Sequence, residues 1–459
     1  MANNVPAHYL LDKKDILILR SFFFLFWVLG CFNFVYQELI PPLEGLLTPI
    51  NIVGDAMLML LSFYTLRKPT DALIIACLFI LSFVSSCIAN NLSLVLWANG
   101  TRSFYGTIFL IPVLRYIWSK PLLYKEFIRT FDKHIFIWLC VQAVCVVEQF
   151  IRYGAGDKVG GSFGDGGSGM VSFCIYFASF YLLNKRIDYK NAFQSIRKNI
   201  VLVILLFPTF LNETKVSFIL LLMYFLLLFP INRDYIRRVI MMAPVAVIMM
   251  AGAIIVYIDT VDQSDSMLDP KFLMEEYLYK DYTEEEMASA VEWIMENETN
   301  IPDLPRFAKM GFISYVIEQN GNHWLVGLGL QGFNGATNIK PTKVVEEYNW
   351  FYLGTNPYVC FIIVQLGLLG SIWAVIFYFL LYTSCPSGFR KNKNISIYSI
   401  LSLIIILAYG DLIKTASFCL IFFTFTFLQW TPKNVKDEDV DDMEYDNEKE
   451  GAAEVPQMQ

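Results

Sequence analysis

Between about Asp259 and Gly354 the chain has no apolar run long enough to cross a bilayer, whereas on both sides such runs follow one another with short gaps. A helical span needs ~20 mostly apolar residues, because the hydrocarbon core is ~30 Å thick and a helix rises ~1.5 Å per residue. Runs of that kind fall at 16–36, 46–65, 72–90, 92–114, 134–151, 168–184, 199–211, 214–231, 238–258, 357–382, 396–412 and 415–430, the seventh being short. Only 17% of the residues are charged, against roughly a quarter in soluble domains. Strands would need alternating ~10-residue segments, and these runs are continuous. The expected fold is therefore an all-α integral membrane protein of about twelve transmembrane helices. One large, mostly helical extracytoplasmic loop lies between spans nine and ten. The expected divisions are spans one to nine over 1–258, the loop over 259–354, spans ten to twelve over 355–430, and a tail over 431–459.

Positive charge in short loops marks the cytoplasmic side. Lys13, Lys14 and Arg20 precede the first run, and Arg67 and Lys68 follow the second. Arg115, Lys120, Lys125, Arg129 and Lys133 follow the fourth, and Lys185, Arg186, Lys190, Arg197 and Lys198 follow the sixth. Arg233, Arg237 and Arg238 follow the eighth, and Arg390, Lys391 and Lys393 follow the tenth. Every cluster follows an even-numbered span, which places both termini in the cytoplasm and the long loop outside. The loop holds 17 acids and 6 bases. No small-residue cleavage site follows the first run, so it reads as a retained span rather than a signal peptide. The acidic tail, with 10 acids and 3 bases, cannot bury enough apolar surface to fold and is expected to be disordered. All nine cysteines fall in or beside apolar segments, where they act as small hydrophobes. They give neither a disulfide framework nor a metal-ligand spacing.

The outer loop carries helix signals of its own. Asp269 and Pro270 open a short stretch with Phe272, Leu273, Tyr277 and Leu278 as its apolar face. Thr283 and Glu286 form a capping box ahead of a helix to about Asn297. Pro302 and Pro305 then break the chain, and RFAKMGFISYVIE (306–318) reads as a further amphipathic helix. A glycine-bearing stretch, NHWLVGLGLQGF, follows. No nucleotide-binding loop, zinc spacing or Ser/His/Asp order occurs. Any chemistry therefore belongs at the membrane surface, on a substrate arriving from the bilayer or from outside.

Ionisable groups inside spans are functional candidates by default. Arg102 lies within the fourth run and Glu148 near the outer end of the fifth. Glu213 and Lys215 sit in NETKVSF between spans seven and eight, and Asp411 and Lys414 between spans eleven and twelve. Each also has a plainer reading: a structural ion pair for Arg102, interfacial groups for Glu148 and Lys215, and a solvated turn for Asp411 and Lys414. The stretch RYGAGDKVGGSFGDGGSGM starts at Arg152 and contains Lys158. Successive glycine amides can bind anions, although such a stretch also serves as a flexible linker.

Four segments occur in an order that resembles the O-antigen polymerase and O-antigen ligase superfamily. They are GGSFG (160–164), NETKVSF (212–218), the Arg306-led helix followed by VGLGLQGF (326–333), and GTNPYVCFIIVQLGLLGSIW (354–373). Thr355 precedes Asn356 where the ligase branch has a histidine, and Lys215 stands where an arginine is common. Both departures favour the polymerase branch. The resemblance implies a metal-independent glycosyltransferase in the bacterial cytoplasmic membrane, with no cofactor and no nucleic acid. Its substrate would be an undecaprenyl-pyrophosphate-linked oligosaccharide, passed to the sugar hydroxyl of another repeat unit, and its partners a flippase and a chain-length regulator. Such a reaction needs cations that stabilise the departing pyrophosphate. Arg306 and Lys215 rank first, then Arg152 and His323, with Arg102 and Lys158 as further phosphate ligands. His323, Glu213, Glu346 and Glu347 are candidate bases. Asn356 and Tyr348 are candidate sugar contacts, and Trp350, Phe351 and Tyr352 could stack on sugars or form an interfacial belt. A ligase and a lipid-linked oligosaccharide flippase are the rival expectations.

Overall fold

The computed structural model describes residues 11–187, 192–212, 216–228, 308–321, 323–331, 340–348, 351, 356–383, 393–410 and 412–428, with a few positions between 236 and 289. Every regular element among the described residues is helical. Five helical stretches are long and apolar enough to cross a membrane: Lys13–Leu39, Pro41–Thr65, Pro69–Ala89, Pro121–Tyr153 and Tyr358–Leu381. Shorter apolar helices cover Ile200–Phe210, Val216–Leu227, Ile397–Ala408 and Ala416–Phe425. The chain is an all-α membrane protein. Much of the run at 238–258, most of the loop at 259–354 and the acidic tail beyond 428 lie outside the described residues.

The long helices carry apolar groups on every face, as lipid-embedded helices do. Helix α1 (Lys13–Phe34) turns Ile18, Phe22, Leu25, Phe26 and Leu29 inward, while Leu17 and Phe24 remain exposed. Helices α2 (Leu47–Thr65) and α3 (Pro69–Phe83) follow, and α3 continues into a π-helical turn at Val84–Ala89. The run at 92–114 is broken into pieces. Helix α4 (Leu94–Thr101) ends in a 3₁₀ turn, Arg102–Phe104, followed by α5 (Tyr105–Ile108) and α6 (Leu110–Ser119). Helix α7 (Pro121–Tyr153) has 33 residues, so the basic segment before the fifth run is helical too. Pro121 fixes its start, since a missing amide costs nothing in a first turn.

Helix α8 (Ser168–Arg186) is buried on nearly all sides and forms the centre of the bundle, against α7, α11 (Val216–Leu227) and α16 (Ala416–Leu428). Short helices α9 (Ala192–Lys198) and α10 (Ile200–Ile204) link α8 to α11. From the loop come α12 (Ala308–Gln319) and α13 (Lys343–Tyr348). Helices α14 (Tyr358–Thr383) and α15 (Lys393–Tyr409) precede α16. Aromatic rings fill the interior: Phe180 stacks on Tyr398 at 4.3 Å, and Phe177 meets Phe422 edge-on at 5.1 Å. Such pairs add about 0.5–1.5 kcal/mol beyond their burial.

The glycine-rich segment is a packed wedge, not a free linker. Val159, Gly161, Ser162 and Phe163 are buried against α1 and α7. The wholly buried side chains of Gln142 and Gln149 hold it: each carboxamide oxygen accepts a wedge amide, from Ser162 at 2.8 Å and from Gly161 at 2.7 Å. Asn33 donates to the Phe163 carbonyl at 2.8 Å. Two glutamines inside a span are tolerable because their polar atoms meet the backbone of the wedge rather than lipid.

Candidate functional site

Helix α14 is interrupted at Gly367, where φ is 64° and ψ is −160°. A break inside a span frees backbone groups that lipid cannot satisfy. Residues 324–331 fill that gap. Leu328 N–H donates to Val364 O at 2.8 Å and Gly329 N–H to Gln365 O at 3.0 Å. From the other side, Leu368 N–H donates to Trp324 O at 2.9 Å and Leu369 N–H to Leu325 O at 3.1 Å. The two backbones come so close that a Cβ on Gly367 would lie 2.5 Å from Leu325 O, and one on Gly327 2.6 Å from Gly367 N. Both positions also have positive φ.

The π-helical turn after α3 completes this junction. Ser85 Oγ donates to the carbonyls of Val326 and, at 3.0 Å, of Gln365. Asn90 Nδ2 donates to Ser85 O at 2.8 Å and to Gly327 O at 2.9 Å. Leu330 N–H donates to Ser86 Oγ at 2.9 Å. Leu330 in turn sits against α4, where a Cβ on Gly100 would be 2.5 Å from its own Cβ. The junction thus ties residues 324–331 to α3, α4 and α14.

Beside it, the start of α14 has one lysine near Phe361, Lys414, and another near Cys360, Lys309. Lys414, in the 3₁₀ turn Leu412–Lys414, places Nζ 3.8 Å from the ring centroid. That turn packs on the Arg102–Phe104 turn, and Phe104 lies 5.8 Å from Phe361. Tyr358 stacks on Phe361 at 5.7 Å. On the other flank, Met310 Sδ is 3.1 Å from Cys360 Sγ, and Lys309 is close enough to Cys360 to act on it electrostatically. Lys309 is wholly buried, because it continues the face of α12 that holds Phe312, Ile313, Val316 and Ile317. Buried Asn356 stands at the head of α14. A cation over an aromatic face contributes ~2 kcal/mol when desolvated, and a polar group held there in advance can neutralise charge that appears at one point.

The sequence candidates divide among several places. Arg102 Nε forms an ion pair with Asp55 Oδ2 of α2 at 2.7 Å, the structural pairing that a charge inside a span requires. Arg152 closes α7 between two carboxylates, those of Glu148 and, at 3.3 Å, Glu38. Tyr153 also donates to Glu38, at 2.8 Å, and Lys158 lies over the Tyr153 ring at 5.4 Å. Arg152 and Lys158 therefore belong to a group built on α1 and α7, apart from the contacts made by Arg102. Glu347 is within 3.4 Å of Lys343, and Glu346 is exposed. Tyr348 and Phe351 are buried in a second cluster with Phe312, Val316 and Val364. Burial, with Tyr315 and Glu347 nearby, pushes the Tyr348 phenol up from its ordinary value. His323 is half-buried and accepts at its carbonyl from Gly327 N–H, at 2.7 Å. Arg306, Lys215, Glu213, Trp350, Tyr352 and Asp411 lie outside the described residues.

Sequence reasoning missed Lys309 and the Gly367 break. A signal existed for the first, since Lys309 precedes Phe312, Val316 and Ile317 at helical spacing. Asp55 was also legible as a partner for Arg102, both being ionisable groups inside apolar runs. Among the described residues no group of three or more His, Cys, Asp or Glu is gathered that could hold a metal ion. No protein-family model and no curated protein matches the chain.

Proposed function

We propose that this chain is a polysaccharide polymerase of the bacterial cytoplasmic membrane that transfers a lipid-pyrophosphate-linked glycan onto another lipid-linked repeat unit. The observation that carries the reading is a pair of lysines at the head of α14, Lys414 over the Phe361 ring and buried Lys309 near Cys360. In the step envisaged, a hydroxyl oxygen of the acceptor sugar attacks the anomeric carbon of the donor. The bond from that carbon to the pyrophosphate oxygen breaks, and its electron pair leaves on the lipid pyrophosphate. The acceptor proton passes to a base, for which His323 and Glu347 are the candidates. Pyrophosphate is a good leaving group, so the protein's task is to orient the sugars and neutralise the growing charge. Lysine serves there as a point charge and arginine as a fork. Buried Asn356 and the Tyr358 ring stand where a sugar could be oriented.

A second reading, transport of a lipid-linked oligosaccharide, is favoured by one observation: helix α14 is discontinuous, as transporter helices often are. Deleting the gene in its host and resolving surface glycan on a gel separates the readings. Loss of a polymerase leaves single repeat units on the final acceptor. Loss of a ligase leaves none, and loss of a flippase traps lipid-linked units on the cytoplasmic side.

A further inference from the structure

The ends of α1, α2 and α6 that carry the basic clusters build a second charged site, distant in sequence from the loop. Tyr116, in the last turns of α6, is buried, and three cations surround its ring. Arg67 Cζ lies 4.6 Å from the ring centroid, Lys120 Nζ 5.1 Å and Lys14 Nζ 5.2 Å. Lys14 Nζ is also 4.1 Å from the centroid of Tyr64 and donates to the Tyr64 carbonyl at 3.1 Å. The carboxylates here are already engaged. Buried Asp15 accepts from Lys120 Nζ at 2.7 and 2.9 Å and from Tyr116 Oη at 2.9 Å. Exposed Asp12 faces Lys120 at 3.7 Å. Lys120 is thus neutralised, while among the described residues neither Lys14 nor Arg67 has a carboxylate partner. Among those residues the site therefore carries a net positive charge. Immediately beside it, Leu17 of α1 and Leu60, Phe63 and Tyr64 of α2 are all about half exposed or more. In a membrane helix such a surface faces acyl chains.

The geometry points to a bound anionic phospholipid: Lys14 and Arg67 hold its phosphate between Tyr64 and Tyr116, and its acyl chains lie along Leu17, Leu60 and Phe63. The two cations come from two helix ends and share the Tyr116 ring. Arginine can grip a phosphate with two donors while lysine adds charge. A free anion would gain nothing from the adjoining apolar strip, so the charge and the strip together select a lipid. This site is independent of the proposed transfer reaction.

The test uses the full chain in mixed micelles containing equal phosphatidylglycerol and phosphatidylcholine, read by native mass spectrometry. The wild type is expected to retain one phosphatidylglycerol in preference to phosphatidylcholine. The double variant Lys14→Gln/Arg67→Gln should retain it roughly thirtyfold less, taking each surface cation as about a fivefold contribution. Arg67→Gln alone, at an exposed position, should lose about fivefold without disturbing folding. Inorganic phosphate at millimolar concentration should leave retention unchanged. Equal retention of both lipids, wild-type retention by either variant, or displacement by inorganic phosphate would each overturn the assignment.

Discussion

Replacing Gly367 with alanine puts a methyl group into the seam between α14 and residues 324–331. The new Cβ would lie 2.5 Å from Leu325 O and 2.6 Å from Gly327 N, both backbone atoms. Relief therefore requires the two strands of backbone to part. The residue also sits at φ 64° and ψ −160°, a region open essentially to glycine alone, where strain costs about 1–3 kcal/mol. Parting the seam threatens the four backbone hydrogen bonds that close it, at 2.8 to 3.1 Å, each with a net contribution of about 0.5–1.5 kcal/mol. Strain plus the loss of two bonds comes to about 2–6 kcal/mol. Hydrogen exchange read by mass spectrometry over 324–331 and 364–369 is the suitable assay, because it reports local opening. Even the low end of the range should speed exchange of Leu328, Gly329, Leu368 and Leu369 by about thirtyfold. Gly311→Ala is the control: nothing lies within 4 Å of its added Cβ, and in a helix interior the change should stabilise by ~1 kcal/mol. Unchanged exchange in Gly367→Ala would refute the reasoning that this junction is a close-packed backbone seam.

Asp55→Asn should destabilise by about 3 kcal/mol, because Arg102 loses its counter-charge inside a span, and adding Arg102→Gln should recover much of the loss; thermal melts of the four proteins of the cycle in one detergent give the coupling. Ser85→Ala takes the side-chain donor from the Val326 carbonyl, while Gln365 O keeps the Gly329 amide, and should cost about 1–3 kcal/mol, seen as faster proteolysis within 324–331. Lys309→Met and Lys414→Ala should each lower kcat/KM for a lipid-pyrophosphate glycan by about a hundredfold, the loss expected when one charge-stabilising group is removed. If both retain wild-type kcat/KM, the two lysines at the head of α14 are structural.

The membrane class and the positions of the long helices were plain from apolar length, since a span has to be apolar whatever it packs against. The path of the chain through those helices was not. Residues 92–114 read as one run because apolar content does not register the turn at Arg102–Phe104. That turn exists because Arg102 reaches Asp55 and because the Lys414 turn packs on it. Likewise QLGLLG lies inside one continuous apolar run, and the Gly367 break within it is closed by backbone hydrogen bonds with residues 324–331, distant in sequence. The glycine-rich stretch at 154–169 could equally have been a linker. What fixes it as a wedge is Gln142 and Gln149 on α7, whose pairing with it no local pattern displays. Arg152 was legible as a cation near that stretch, whereas the two carboxylates around it come from different helices. Lys309 was legible in principle: its spacing ahead of Phe312, Val316 and Ile317 puts it on the apolar face of an amphipathic helix, and the packing of that face against α14 buries it.

The central claim is most directly tested by reconstituting the purified chain in liposomes with a polyprenyl-pyrophosphate-linked repeat unit and following both glycan length and release of the lipid pyrophosphate. The expected result is a ladder of products longer than one repeat, with one lipid pyrophosphate released per added unit. Movement of the lipid-linked unit across the bilayer with no increase in length would contradict it.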